Sequence, residues 1–147
     1  MKILLICTGN SCRSQMAAGI LQSLDKTLKV FSAGVKPEIA VNRFAVQAMA
    51  EVGIDISANT PKPVEKFCGE DWDYVITLCQ KANQNCPAFV GQVKQRWHLG
   101  FDDPADAKGT DDEILSVYRK SRDEIKEAFE AFYNSQILGR HSCGCCG

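Results

Sequence analysis

The 147-residue sequence has no long apolar run, no excess of charge of either sign and only two histidines. Its first apolar stretch, Ile3 to Ile6, is too brief to form an export-signal core or to cross a bilayer, which predicts a cytoplasmic protein that does not engage membranes. A formal net charge of −1 provides no field to draw in nucleic acid or an acidic surface, so affinity for an anion has to come from a local site. Outside the C-terminal tail His98 has no histidine companion, and it reads as a strand residue rather than a metal ligand or catalyst. No repeat or long linker divides the chain, which predicts a single domain over residues 1–138 with a short tail at 139–147. The absence of an obvious exposed apolar stripe predicts a monomer.

Cysteine, by contrast, is abundant. Eight residues, at positions 7, 12, 68, 79, 86, 143, 145 and 146, would suggest a disulfide scaffold in a small secreted protein. In a reducing compartment they point instead to transient, catalytic thiol chemistry. A chain of this length with 45% hydrophobic residues can bury about two-thirds of its unfolded surface, so folding requires neither disulfides nor a metal.

The segment Lys2 to Ser14, K-I-L-L-I-C-T-G-N-S-C-R-S, carries the strongest chemical signal. A buried-looking strand ends at Cys7, and the residues Thr8, Gly9, Asn10, Ser11 and Cys12 separate it from Arg13 and Ser14. Backbone amides of such a loop can surround a tetrahedral oxyanion, with Gly9 supplying the conformational freedom for the curl. A helix starting at about Ser14 would aim its positive end at the same point. Amides and guanidinium together favour a thiolate at Cys7, predicting a pKa below the ordinary value of about 8.5.

Periodicity organises the rest. Lys2–Cys7, Leu28–Ala33, Tyr74–Leu78 and Arg96–Leu99 read as strands. Helices are expected from about Ser14 to Leu24 with Met16, Ala17, Ile20 and Leu21 inward, and over Asn42–Val52 with Ala45, Ala48, Met49 and Val52 inward. A last helix begins at a Thr110/Glu113 capping box and buries Ile114, Tyr118, Ile125, Phe129 and Phe132. The alternation predicts an α/β three-layer sandwich, a four-stranded parallel sheet with helices on both faces.

Two further groups fall at the carboxyl edge of that sheet. Cys79 ends the third strand and Cys86 follows in a polar stretch closed by Pro87, so three thiols can share one neighbourhood and pass an oxidation outward. Equally, Cys79 can be a buried strand residue and Cys86 an incidental one. In G-F-D-D-P-A, residues 100–105, Pro104 holds Asp103 extended, where its carboxyl could protonate an oxygen leaving the trapped anion. Asp102 or Asp103 can also simply cap the turn.

The motifs C-T-G-N-S-C-R-S at 7–14, S-A-G at 32–34, E-V-G-I-D-I-S at 51–57, T-L-C at 77–79, N-C-P at 85–87 and G-F-D-D-P-A at 100–105 resemble the thioredoxin-coupled arsenate reductases, which share the fold of low-molecular-weight protein tyrosine phosphatases. The resemblance implies that Cys7 attacks arsenate held by residues 8–14, with Ser14 bonded to the thiolate and Asp103 as proton donor. Cys79 then attacks Cys7, arsenite leaves, and Cys86 attacks Cys79 to give a disulfide that thioredoxin reduces. It also implies weak phosphatase activity and occupancy by phosphate or sulfate as mimics, with no tightly bound cofactor. Glutaredoxin with glutathione, and the tail thiols, remain open as electron donors.

Two alternatives stand beside this reading. A phosphatase of the same fold would hydrolyse phosphomonoesters through a phosphocysteine at Cys7, but usually carries proline and aromatic residues where this chain has Gln15 and Ala105. An arsenite or soft-metal binder would use Cys143, Cys145 and Cys146 beside His141. Some of the reductases hold potassium near the loop through two carboxylates; the corresponding positions here are Ala18 and Lys62, which predicts no potassium site.

Overall fold

The computed structural model describes residues 1–139. Its elements are β1 (Lys2–Cys7), α1 (Arg13–Leu24), β2 (Lys29–Gly34), α2 (Arg43–Ala50), β3 (Trp72–Thr77), α3 (Gln80–Asn85), β4 (Val93–His98) and α4 (Asp111–Phe132). Single 3-10 turns at Val64–Phe67 and Pro104–Asp106 join them, and α4 runs on into a π-helical turn at Tyr133–Leu138. The strands form one parallel sheet in the order β2-β1-β3-β4. The four-stranded α/β architecture expected from the sequence is therefore present.

Each element follows from local chemistry. Residues 3–7 of β1 are all buried, as a central parallel strand requires. Thr110 and Glu113 form the reciprocal capping box of α4, and Asn42 caps α2 by accepting from the Phe44 amide at 2.8 Å. Tyr74 and Trp97 meet Phe132 edge-on at 5.2 and 5.3 Å, which seats α4 on one face of the sheet. Thr77, of opposite pleat to Tyr74, donates its hydroxyl to Asn83 of α3 at 3.3 Å, which ties α3 to the carboxyl end of β3.

Three local expectations need correction. Val52 points outward, 42% exposed, because α2 ends at Ala50 and the chain reverses through Gly53 at φ 80°, with the Ile54 amide bonded back to the Met49 carbonyl at 3.0 Å. β4 begins at Val93 rather than Arg96; it is an edge strand whose exposed Lys94 and Arg96 mask the alternation. The polar stretch after Cys79, given no element from the sequence, is a helix, α3.

The strand order reverses between β1 and β3, and the crevice outside their carboxyl ends is where open α/β sheets place ligands. Cys7 ends β1, and Cys79 follows β3 by two residues. The Leu78 amide donates to the Ile6 carbonyl at 2.8 Å, holding the two cysteine-bearing segments side by side.

Candidate active site

The loop from Thr8 to Cys12 is fixed by a buried polar network centred on Asn10. Asn10 is fully buried and takes φ 53°, the left-handed conformation that had been expected of Gly9. Its Oδ1 accepts from the Lys62 amide at 2.9 Å and from Gln15 Nε2 at 3.2 Å, and Gln15 is held in turn by Asn59 Nδ2 at 3.2 Å. Glycine at 9 serves space instead: a Cβ there would stand 2.8 Å from Glu38 Cγ. At Gly34 a Cβ would approach the Thr8 carbonyl oxygen to 2.7 Å, so S-A-G lets the end of β2 close on the loop.

That network orients donors at Cys7. Asn10 Nδ2 donates to Ser14 Oγ at 2.7 Å, which turns the Ser14 proton toward Cys7 Sγ at 2.9 Å. The Asn10 amide adds a second donor at 3.2 Å. α1 starts at Arg13, one residue earlier than expected, and its N-cap residue Cys12 makes no side-chain cap, so its first-turn amides remain to serve an anion.

Arg13 crosses from the loop to the segment after β4. Its Nη1 donates to the Phe101 carbonyl at 3.1 Å and its Nη2 lies 3.3 Å from Asp103 Oδ2. Nε is buried and has no hydrogen-bond partner among the described residues. A buried guanidinium donor without a partner is costly in a resting protein and useful where an oxyanion arrives. Asp103 fills both roles considered for it, since Oδ1 caps the 3-10 turn by accepting from the Ala105 amide at 3.0 Å while Oδ2 faces Arg13. A cavity of about 90 Å³ results, lined by Cys7, Thr8, Ser11, Arg13, Asp103 and, unexpectedly, Glu38. A larger open groove of about 750 Å³ between α1 and β2 contains no thiol, and the chemistry lies in the small one.

The second thiol adjoins the first. Cys79 Sγ lies 3.2 Å from Thr8 Oγ1 and accepts from the Ala82 amide at 3.4 Å, so the sulfur itself caps α3. Cys86 is not beside it. It sits at the opposite end of α3, half-buried, and its thiol is pushed up by burial, with Arg96 opposing. Cys12 Sγ pairs with the Tyr118 hydroxyl at 3.5 Å, and burial pushes both groups up, so this loop cysteine packs the site against α4 as a neutral thiol.

Ala18, Lys62, Gln15 and Asn59 line a separate cavity of about 120 Å³ beside Asn10. Its lining contains the Lys62 side chain, the side-chain amides of Gln15 and Asn59, the Ser32 hydroxyl and no carboxylate. Among the described residues no group of three or more His, Cys, Asp or Glu could hold a metal. His141, Cys143, Cys145 and Cys146 lie outside the described residues.

A buried cysteine that accepts a loop amide beside a buried arginine, at the switch point of a parallel α/β sheet, is the arrangement of enzymes that attack tetrahedral oxyanions through sulfur. The family profile described as low molecular weight phosphotyrosine protein phosphatase matches residues 2–141, and the chain belongs to that family. Among its relatives is an arsenate reductase of Halalkalibacterium halodurans, 47% identical over 131 residues that span 88% of this chain and 93% of the relative. The fold is similar to "an arsenate reductase in the phosphate binding state", with TM-score 0.75 and 36% identity over 91% of this chain and 97% of that one. It is also similar to "an arsenate reductase in oxidized state", with TM-score 0.74 and 34% identity over 88% and 94% of the two chains.

Proposed function

We propose that this chain is an arsenate reductase that works by a three-cysteine relay. The observation that carries this reading over simple phosphatase chemistry is the 3.2 Å contact between Thr8 Oγ1 and Cys79 Sγ, which puts a second sulfur one residue from the nucleophile.

Arsenate enters the loop and takes up the amides, Arg13 Nε and Nη2. Cys7 Sγ attacks arsenic, and Asp103 delivers a proton to the departing oxygen. Cys79 then attacks Cys7 Sγ; the sulfur–arsenic electron pair stays on arsenic, which leaves as arsenite, and a Cys7 to Cys79 disulfide forms. Cys86 attacks Cys79 and frees Cys7. The Cys79 to Cys86 disulfide is reduced by thioredoxin, and the protein acts as a cytoplasmic monomer. Phosphate and sulfate compete for the loop, and phosphomonoesters are hydrolysed slowly. Lys62 supplies the positive charge beside Asn10, so no potassium is needed.

Arsenite production from arsenate with thioredoxin and its reductase tests this. Cys7→Ser, Cys79→Ser and Cys86→Ser are each expected to abolish it, while only Cys7→Ser abolishes p-nitrophenyl phosphate cleavage. Full reduction by Cys79→Ser would leave the chain a phosphatase. Ala105, which borders the loop cavity where that reading needs an aromatic grip on a phosphotyrosine ring, disfavours it.

A further inference from the structure

Cys86 has a sulfur neighbour that the relay does not use. Cys68 ends the 3-10 turn before β3, and the chain downstream of Cys86 is pinned to it: the Val90 and Gly91 amides donate to the Cys68 carbonyl at 2.9 and 3.1 Å. Both thiols are partly exposed at the margin of the same core, and the Cys68 and Glu65 charges reach Cys86. Three residues lie between Cys86 and Val90, a tether of at most about 14 Å even when extended, so Cys86 stays within reach of Cys68 as α3 unwinds.

We propose that Cys68 is a fourth member of the thiol relay, taking the oxidation from the Cys79 to Cys86 disulfide into a Cys68 to Cys86 disulfide. The step rests on the relay proposed above. The Cys68 thiolate attacks Cys86 Sγ, the Cys79–Cys86 bond breaks, and its electron pair leaves on Cys79. No outside oxidant is required, because arsenate has already taken the two electrons. Two features favour the transfer. Cys79, once released, recovers its bonds to the Ala82 amide and to Thr8, and α3 can reform. The new disulfide joins two partly exposed cysteines next to the exposed Val90, within reach of a reductant in solution. Burial and the Glu65 carboxylate push the Cys68 thiol up, so the transfer quickens as pH rises.

The consequence is stoichiometric. With Cys68 to Cys86 oxidised, Cys7 and Cys79 are both reduced and can process a second arsenate before any reductant is supplied. The test uses the full-length chain with Cys143, Cys145 and Cys146 replaced by serine, pre-reduced, freed of reductant and mixed with excess arsenate. About two arsenite per chain are expected, falling to about one with Cys68→Ser added. Peptide mapping of the unsubstituted full-length chain after the same treatment is expected to recover a Cys68–Cys86 crosslink. About one arsenite with Cys68 present and a terminal Cys79–Cys86 crosslink overturns the proposal and leaves the three-cysteine relay standing. No arsenite from either protein overturns both.

Discussion

Replacing Gln84 by glycine is expected to accelerate formation of the Cys79 to Cys86 disulfide. Cys79 and Cys86 cap opposite ends of the six-residue α3, and seven residue steps at about 1.5 Å separate their Cα atoms by roughly 10 Å along the axis. A disulfide requires about 4.4–6.8 Å, so α3 has to open before the two sulfurs can bond. Gln84 is exposed. Glycine costs about 0.8–1 kcal/mol against alanine and about 0.5–0.7 kcal/mol against glutamine, which raises the open population about two- to threefold if the closed helix dominates. The assay isolates this event in a Cys7→Ser, Cys68→Ser background: the reduced protein is treated with a low concentration of diamide, quenched by alkylation, and the Cys79–Cys86 crosslink is followed by mass spectrometry. In the regime where opening precedes oxidation, the rate rises by the same factor of about two to three. An unchanged or slower rate would refute the claim that helix opening gates the second disulfide.

Other outcomes follow from the same geometry. Asp103→Asn keeps a side-chain oxygen to cap the 3-10 turn but cannot deliver a proton, so arsenite release in single turnover is expected to slow by about a hundredfold or more. Glu38→Gln removes a negative charge from the mouth of the loop cavity; KM for arsenate is expected to fall about two- to fivefold at low salt with kcat little changed, and the difference to shrink as salt is added. Arg119 and Arg122 hold the Glu51 carboxyl down to about 2 from 4.5, so its stabilising contribution is present above pH 4.5 and is lost as pH falls toward 2. In thermal melts, Glu51→Gln is therefore expected to show a smaller loss of stability on acidification than the unsubstituted chain.

The sheet and the principal helices were legible because their signals are local. An unbroken apolar β1, a capping box at Thr110 and helical spacing in α4 each specify an element without reference to distant residues. Cys7, Arg13 and Asp103 could be located because a strand end, a short loop and an Asp-Pro pair place them on one edge. The lock on the loop was not legible: Asn10 receives the Lys62 amide from 52 positions away, and Glu38 reaches the cavity through a loop without a pattern. α3 escaped for a different reason. Its single buried residue, Ala82, leaves no apolar period, and its cap is a cysteine sulfur, outside the usual Ser, Thr, Asp and Asn. The neighbourhood of Cys68 and Cys86 is a tertiary fact, made by amides of residues 90 and 91 folding back onto the turn before β3.

The most direct test of the account is to trap the first disulfide. Cys86→Ser, pre-reduced and given arsenate without any reductant, is expected to release about one arsenite per chain and to yield a crosslinked peptide joining Cys7 to Cys79. Arsenite release accompanied by Cys7 crosslinked to a different cysteine, or no arsenite at all, would contradict the claim that the sulfur beside Thr8 makes the first disulfide with Cys7.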